Sequence, residues 1–315
     1  MNQGLVIKST GKFYSIREAG SNDVHNAIIR GKFKIKGLKL TNPVAVGDHV
    51  DFTVGADGLA VIEGIHDREN YVVRQSPRKK HHLHLLASNI DQALVIVTMV
   101  KPKLKQGFID RFLLMTEPYN IPVHIIFNKC DLHKEGENNV YDYLEDIYTQ
   151  IGYSVMKTSV IDLTGIEKLK GKLANKVSLI AGQSGVGKSS LINCIAPQLT
   201  IRTNTISDYS GKGQHTTTFA EMYQLSGGGQ IIDTPGIKNL SFNHLEVMDI
   251  AHNFREMFVL SAECKFGDCT HRDEPSCAVK DGIEDGRMSE LRYYNYLQLV
   301  EEVENQNYWE RIKDY

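Results

Sequence analysis

The sequence lacks a long hydrophobic run, which argues against a protein with membrane-spanning helices. Its longest apolar stretch, Ala93–Val100, is too short to span a bilayer. The residues after Met1 are polar and then strand-like, and they do not resemble a signal peptide. We therefore expect a cytoplasmic protein with no membrane partner, and we expect it to act as a monomer.

The chain also lacks a large net charge of either sign, and its number of cysteines is not even. The net charge is −2 over 315 residues, so the charge of the whole molecule gives no indication of a nucleic-acid partner. The first forty residues are more basic than the rest, so any RNA binding must depend on local patches. The five cysteines form an odd set, which argues against a disulfide framework.

The residue pattern divides the chain into three domains. Residues 1–72 hold short strand-like segments separated by turns, which is typical of a small β-barrel, and we predict an OB-fold. Residues 73–240 alternate strands and helices and predict a parallel α/β sheet, and residues 241–315 are mostly helical. The predicted barrel strands are Leu5–Ile7, Phe13–Ile16, Ala27–Ile29, Lys32–Lys36, Val50–Val54 and Leu59–Ile65.

Two basic segments have more than one interpretation. In Lys32–Lys36 the three lysines share one strand face, which is either a solvated surface or a basic stripe that meets nucleic acid. Residues 75–84 read as a linker that includes Arg78–Lys80 and three histidines. The histidine spacing matches no common metal site, so a basic connector is favoured over a metal site.

A phosphate-binding loop follows the predicted strand Val177–Ala181. Its pattern, Gly182-x4-Gly187-Lys188-Ser189, lets successive backbone N–H groups point at phosphate oxygens. Lys188 would contact the β- and γ-phosphates in catalysis, and the Ser189 hydroxyl would bind Mg²⁺. The residues predicted to bind the nucleotide here are Gly182, Gln183, Ser184, Gly185, Val186, Gly187, Lys188, Ser189 and Ser190.

A guanine-reading motif follows the predicted strand Val123–Phe127. Asp131 of Asn128-Lys129-Cys130-Asp131 can accept hydrogen bonds from the N1–H and 2-amino groups of guanine, a donor pair that adenine lacks. Ser159 is in the position of a further base-contacting motif. The residues predicted to bind at the base are Asn128, Lys129, Cys130, Asp131 and Ser159, with Cys130 at the variable position.

A third motif, Asp233-Thr234-Pro235-Gly236, follows an apolar strand. Asp233 would meet Mg²⁺ through water, and the Gly236 N–H would contact the γ-phosphate. The polar loop 211–218 is where the first switch belongs, and we predict that one of Thr216, Thr217 and Thr218, with Thr217 preferred, is a further Mg²⁺ ligand. Ile237 replaces the glutamine that orients water in many GTPases, so His215 is the candidate for that role, although it also fits a solvent-exposed loop histidine.

The order of these motifs indicates a circularly permuted GTPase domain. The guanine reader comes first, the phosphate loop second and the Asp233 motif third, whereas an ordinary GTPase begins with the phosphate loop.

A cysteine and histidine cluster follows the three motifs. Cys264, Cys269, His271 and Cys277 supply three thiols and an imidazole within a short polar segment, which is the ligand set of a structural zinc site with no open coordination position.

The tail from Ser289 onward reads as a helix. Leu291, Tyr294, Leu297 and Val300 recur near helical spacing and predict a packed face. Stacking of its tyrosines on RNA bases is the alternative interpretation.

Taken together, these motifs resemble the RsgA/YjeQ family of ribosome small-subunit-dependent GTPases over essentially the whole chain. The resemblance implies an OB-fold, a permuted GTPase domain and a zinc domain, with one Zn²⁺ and with Mg²⁺ bound alongside GTP. It implies binding to the small ribosomal subunit and its rRNA late in assembly, where hydrolysis of GTP to GDP and phosphate is stimulated. Gln214 stands where the family loop usually has arginine.

Two other classes would share some of these features. A signalling or RNA-modification GTPase would use the same nucleotide site, but the permuted order and the flanking domains argue against it. A nucleotide-independent RNA-binding scaffold would leave three nucleotide motifs without a role.

Overall fold

The computed structural model describes residues 1–30, 40–75, 83–105, 107–199, 220–234, 242 and 245–311. Its first element is a closed five-stranded barrel. Strand β1 pairs with both β2 and β4, and β3 and β4 each pair with β5, so the sheet closes on itself. The strands are β1 Asn2–Ser9, β2 Tyr14–Glu18, β3 Val24–Ile29, β4 His49–Val54 and β5 Ala60–Ile65.

The barrel interior is filled by alternate residues of these strands. Val6, Ile16, Phe52 and Ile62 are fully buried there, as period-2 alternation requires. The small N-terminal barrel expected from the sequence is therefore confirmed. The predicted basic strand Lys32–Lys36 lies outside the described residues.

A hairpin follows the barrel where the sequence suggested a linker. Strands β6 Tyr71–Gln75 and β7 Leu83–Ser88 pair antiparallel, so residues 75, 83 and 84 belong to strands and that part of the linker prediction was wrong. The physical reason is burial, because Val73 and Leu85 pack with Ala45 in a small apolar core. The basic segment Arg78–Lys80 lies outside the described residues.

The central domain is a sheet with helices on both faces. Its strand order is β10-β9-β8-β11-β13-β12, and every neighbouring pair is parallel except β12–β13. The strands are β8 Gln92–Val97, β9 Val123–Asn128, β10 Ser154–Thr158, β11 Val177–Gly182, β12 Ala220–Gln224 and β13 Gln230–Asp233. The helices are α1 Phe108–Thr116, α2 Glu135–Gln150, α3 Ile166–Leu173 and α4 Lys188–Ile195.

Alternate strand residues form two separate cores. Val95, Ile125 and Leu179 pack on the face with α1 and α2, while Ile96 and Ile180 pack on the face with α3 and α4. This is the layered α/β architecture expected from the alternation of strands and helices.

Strand pairing joins the barrel to the central sheet. β1 pairs antiparallel with β12, and Lys8 lies opposite Glu221 in this register. Within the described part of the chain, the two sheets therefore form one continuous sheet of eleven strands.

The C-terminal region is helical and packs on the central domain. Its helices are α5 Val247–His252, α6 Arg255–Ser261, α7 Ala278–Glu284 and α8 Glu290–Arg311. The buried guanidinium of Arg292 on α8 forms ion pairs with Asp110 of α1, at 2.6 Å, and Glu256 of α6, at 2.7 Å. Among the described residues, no helix is long and apolar enough to cross a membrane.

The predicted packed face of α8 is correct at three of its four residues. Val300 is buried, and Leu291 and Leu297 are partly buried against the same core, whereas Tyr294 is 53% exposed. The buried face also includes Arg292, Tyr296, Leu299 and Val303, and the Arg292 guanidinium reaches two carboxylates in the interior.

Candidate nucleotide site and metal centre

The sequence motifs come together at one edge of the central sheet. The strands β9, β11 and β13 run parallel and end at Asn128, Gly182 and Asp233. In open α/β sheets, ligands bind in the crevice at the carboxyl ends of the strands. The three motifs are far apart in the sequence, and they therefore surround one crevice in the structure.

The phosphate loop between β11 and α4 needs glycine at two positions. A Cβ atom on Gly182 would lie 2.3 Å from the Ile96 carbonyl oxygen of the neighbouring strand. Gly187 has a φ of 90°, and a Cβ there would lie 2.7 Å from Asn128 Nδ2. The absence of a Cβ atom at these two positions lets the loop lie close to β8 and to the guanine-reading motif. Helix α4 starts at Lys188 with its N-terminus at the crevice.

The Lys188 ammonium group is held inside the phosphate loop. Its Nζ donates hydrogen bonds to the carbonyl oxygens of Gly182, at 2.7 Å, and Gln183, at 3.0 Å. Burial lowers the pKa of Lys188, and the nearby Asp233 carboxylate opposes that shift. Lys188 therefore supplies a positive charge at the point where phosphate groups would enter the loop.

The guanine-reading motif is bonded directly to the phosphate loop. Asn128 Nδ2 donates to the Val186 carbonyl at 2.9 Å, and Asn128 Oδ1 accepts from the Thr158 hydroxyl at 3.0 Å. Lys129, in the left-handed conformation with φ 61°, donates to the Gly185 carbonyl at 2.7 Å. The two halves of the site are thus held in a fixed relative position by side chains.

Asp131 is oriented by a residue of the following strand–loop unit. The Ser159 hydroxyl donates to Asp131 Oδ1 at 2.7 Å, and the Ser159 oxygen accepts from the Ile161 N–H at 3.1 Å. Burial raises the pKa of Cys130, and neighbouring Asp162 adds to that shift, so its thiol remains protonated. The structure therefore places Ser159 in direct contact with Asp131.

Asp233 is a buried carboxylate at the opposite side of the phosphate loop. It is 4% exposed, and its Oδ1 has no hydrogen-bond partner among the described residues. Burial raises the pKa of Asp233 to about 6, against the attraction of Lys188 and with a further contribution from Glu221. A buried carboxylate oxygen without a donor is a suitable ligand position for a hard divalent cation such as Mg²⁺. Ser189, in the first turn of α4, is the second predicted ligand.

Several predicted site residues lie outside the described part of the chain. They are His215, Thr217 and the rest of loop 211–218, together with Gly236 and Ile237.

The cysteine and histidine cluster forms a compact metal-binding set. The Sγ atoms of Cys264, Cys269 and Cys277 and the Nδ1 of His271 all lie within 4.8 Å of one another. Cys264 Sγ and Cys277 Sγ lie 3.6 and 3.5 Å from His271 Nδ1. Tetrahedral Zn²⁺ with ordinary bond lengths would separate such S and N ligands by about 3.5 Å, so the donor set fits this ion.

The metal-binding loop is held by side chains that the sequence analysis missed. Glu274 accepts from the backbone N–H groups of Thr270, at 2.6 Å, and Arg272, at 2.8 Å. Although partial burial works in the opposite direction, these hydrogen bonds lower the pKa of Glu274 to about 2. Tyr293 and Tyr296 of α8 donate to the carbonyls of His271 and Thr270. The hydroxyls of these two tyrosines therefore support the loop.

Comparison with known proteins agrees with this arrangement. The RsgA GTPase family profile matches residues 65–243, and the RsgA N-terminal domain profile matches residues 3–62. The solved structure of YjeQ from Thermotoga maritima aligns with a TM-score of 0.76 and 34% identity, over 96% of this chain and 98% of that chain. The structure of YloQ, described as a circularly permuted GTPase, aligns with a TM-score of 0.71 and 28% identity, over 96% and 95% of the two chains.

Curated relatives match over nearly their whole length. A protein of Phocaeicola vulgatus named small ribosomal subunit biogenesis GTPase RsgA is 45% identical over 97% of this chain and 98% of its own. A protein of Flavobacterium psychrophilum with the same name is 44% identical over 95% and 92%. With the barrel, the crevice at the sheet edge and the Cys₃His cluster in the same order along the chain, this protein belongs to the RsgA family of circularly permuted GTPases.

Proposed function

We propose that this chain binds the small ribosomal subunit late in its assembly and hydrolyses GTP there to GDP and phosphate. The relatives named above carry small ribosomal subunit biogenesis in their names. The observation that supports the proposal most is the pair of hydrogen bonds by which Asn128 ties the guanine reader to the phosphate loop and to β10. This arrangement gives one crevice that recognises both ends of a guanine nucleotide.

Each described residue has a defined role in this proposal. Asp131, oriented by Ser159, selects guanine, and Asn128 and Lys129 hold the base side against the loop. The backbone N–H groups of Gly182–Ser190 and the Lys188 ammonium stabilise negative charge that develops on the transferring phosphoryl group. When bound at Ser189 and Asp233, Mg²⁺ supplies further positive charge to the phosphate oxygens.

Three residues outside the described part of the chain complete the proposed site. Thr217, in the first switch, would be a further ligand of Mg²⁺. The Gly236 N–H would donate a hydrogen bond to the γ-phosphate. His215 would orient the attacking water, a role that Ile237 is chemically unable to fill.

The metal centre is proposed to hold one structural Zn²⁺. Its four ligands leave no position for substrate, and three of them, Cys269, His271 and Cys277, are buried. Such a site contributes folding energy to a short polar loop and takes no part in hydrolysis.

The barrel is proposed to contact rRNA. The candidate contacts are the lysines of Lys32–Lys36, which the sequence predicts to be a strand, and the basic segment Arg78–Lys80 between β6 and β7. Neutralising phosphates releases counterions, so affinity for the subunit should fall steeply as salt is raised. We propose that the protein acts as a cytoplasmic monomer.

Co-sedimentation with purified subunits tests this proposal. The protein is mixed with small or large subunits in the presence of GDP or a non-hydrolysable GTP analogue. The expected result is retention on small subunits with the analogue and weaker retention with GDP. The Asp131→Asn variant is the control, because it should lose retention with the guanine analogue and recover it with the xanthosine analogue. Equal binding in both nucleotide states, or binding to large subunits alone, would contradict the proposal.

A further inference from the structure

We infer that Lys8 of the N-terminal barrel is a positioning residue for the nucleotide site, acting through Glu221 on the charge that surrounds Asp233. The inference rests on the proposed function, because it assumes that Asp233 helps to bind Mg²⁺ beside a guanine nucleotide. By this inference, a residue of the barrel changes the affinity of the nucleotide site for Mg²⁺.

The three residues form a row across three neighbouring strands. Lys8 of β1 lies directly opposite Glu221 of β12, and Glu221 lies directly opposite Asp233 of β13. Directly opposite residues in antiparallel strands place their side chains on the same face of the sheet. The row therefore runs on one face from the barrel to the carboxylate at the phosphate loop.

Contacts within the row link the barrel to β12. Lys8 Nζ lies 3.2 Å from Glu221 Oε2, and the Tyr223 hydroxyl donates to the same oxygen at 3.2 Å. The pairing of β1 with β2 shifts register between Val6 and Lys8, and such irregularities re-aim the side chains next to them. A second contact, from Arg17 to Gln224, crosses the same joint.

The charges in the row act on a divalent cation in opposite directions. Glu221 places a second negative charge beside Asp233 and attracts the cation, whereas Lys8 neutralises that charge and weakens the attraction. The side chains of Lys8 and Glu221 are 40% and 32% exposed, so solvent screens their effect but does not remove it. Removing Lys8 should therefore tighten Mg²⁺ binding, and removing Glu221 should weaken it.

The direction of the change in Mg²⁺ affinity distinguishes a charge effect from a role of the ion pair in holding the barrel to β12. If the ion pair only fastened the barrel to β12, either single substitution would loosen the same joint and shift Mg²⁺ affinity in the same direction. If the charges act as inferred, the two substitutions shift it in opposite directions and the double substitution largely restores it.

The experiment measures Mg²⁺ affinity directly, without turnover. Release of a fluorescent GDP analogue is followed against free Mg²⁺ for wild type, Lys8→Ala, Glu221→Gln, the double variant and Lys8→Arg. The control is Lys12→Ala, which removes an exposed lysine from the turn after β1. We expect Lys8→Ala to tighten and Glu221→Gln to weaken Mg²⁺ binding by about three- to fivefold at low salt. The double variant, Lys8→Arg and Lys12→Ala should stay near wild type.

The outcomes are distinguishable. Shifts of the same sign in both single variants, or a shift in Lys12→Ala as large as that in Lys8→Ala, would overturn the inference and leave the nucleotide site standing. Unchanged Mg²⁺ affinity in every variant would also overturn the inference without affecting the assignment of the nucleotide site. Wild-type protein that binds guanine nucleotide with no Mg²⁺ dependence would overturn the inference together with the proposed metal role of Asp233.

Discussion

At the scale of single residues, base selection depends on how one carboxylate is held. Ser159 donates to one oxygen of Asp131 and is itself fixed by the backbone N–H of Ile161. A carboxylate held in this way is ready to accept two donors from guanine. A bound nucleotide that lacks those donors would cover this exposed carboxylate without replacing its hydrogen bonds to water, which costs more than such hydrogen bonds gain.

The Asp131→Asn variant should change base preference. An amide reverses part of the donor and acceptor pattern, so affinity for GTP should fall by about a hundredfold or more, and xanthosine triphosphate should bind. Ser159→Ala is the matched control, because it removes one hydrogen bond and should weaken GTP binding only several-fold. Equilibrium binding of both nucleotides measures this. If Asp131→Asn keeps wild-type affinity for GTP, Asp131 does not read the base.

Asp233→Asn should stabilise the metal-free protein. The burial that raises the pKa of Asp233 also means that its charged form is costly near neutral pH when no cation is bound. Removing the charge should raise stability by about 1–2 kcal/mol in a chelator at pH 7.5, while the Mg²⁺ dependence of nucleotide binding is lost. Thermal unfolding with and without Mg²⁺ measures both effects. A variant less stable than wild type in chelator would contradict this account of the site.

At the scale of elements, the C-terminal helices are held to the central domain by a buried charge cluster. Arg292 of α8 contacts Asp110 of α1 and Glu256 of α6, and Asn295 also donates to Asp110. Breaking such a cluster by removing one member leaves the others charged and buried. The position of α8, and of the metal-binding loop that Tyr293 and Tyr296 support, should therefore depend on Arg292.

Arg292→Ala should destabilise the C-terminal helices strongly. The expected loss is about 3–5 kcal/mol, because Asp110 and Glu256 lose their cation in the interior. Arg287→Ala is the matched control, since Arg287 also forms two ion pairs but is 44% exposed, and its removal should change stability far less. Urea unfolding followed by far-ultraviolet circular dichroism measures the loss of helix in this region. Equal losses of stability in the two variants would contradict the claim that the buried ion pairs of Arg292 hold the C-terminal helices in place.

Zinc should be required by the metal-binding loop but not by the nucleotide site. Replacing Cys269 by Ala removes a buried ligand, so the purified variant should contain little zinc and its C-terminal helices should unfold at lower denaturant. Its affinity for guanine nucleotide should stay within a few-fold of wild type. Metal analysis and nucleotide titration on the same preparation measure both. Wild-type protein that is purified folded and free of zinc would contradict this prediction.

At the scale of the whole molecule, local signals predicted the parts, and long-range contacts determined how they fit together. Period-2 strands and glycine turns indicated the barrel, and the spacing of Gly182, Lys188 and Asp131 indicated the nucleotide site. The joint between Lys8 and Glu221 and the ion pair between Asp110 and Arg292 link residues about two hundred positions apart. Neither leaves a periodicity or motif in the sequence. For the same reason the burial of Arg292 was not predicted, because an arginine is read from sequence as a surface residue.

The continuous sheet also gives the molecule a physical route between its ends. β12 pairs with the barrel on one side and with β13, which ends at Asp233, on the other. A partner that moves the barrel acts on a strand adjacent to the metal side of the nucleotide site. Stimulation of hydrolysis by a bound subunit is the behaviour expected of such an arrangement.

The rate of GTP hydrolysis with and without purified small ribosomal subunits tests the central claim most directly. Ile237 stands where water-orienting glutamine is common, so hydrolysis by the protein alone should be slow. Small subunits should raise the rate by at least about a hundredfold, and the increase should be lost in His215→Ala and shrink as salt is raised. A rate that small subunits leave unchanged, or that large subunits raise equally, would contradict the account.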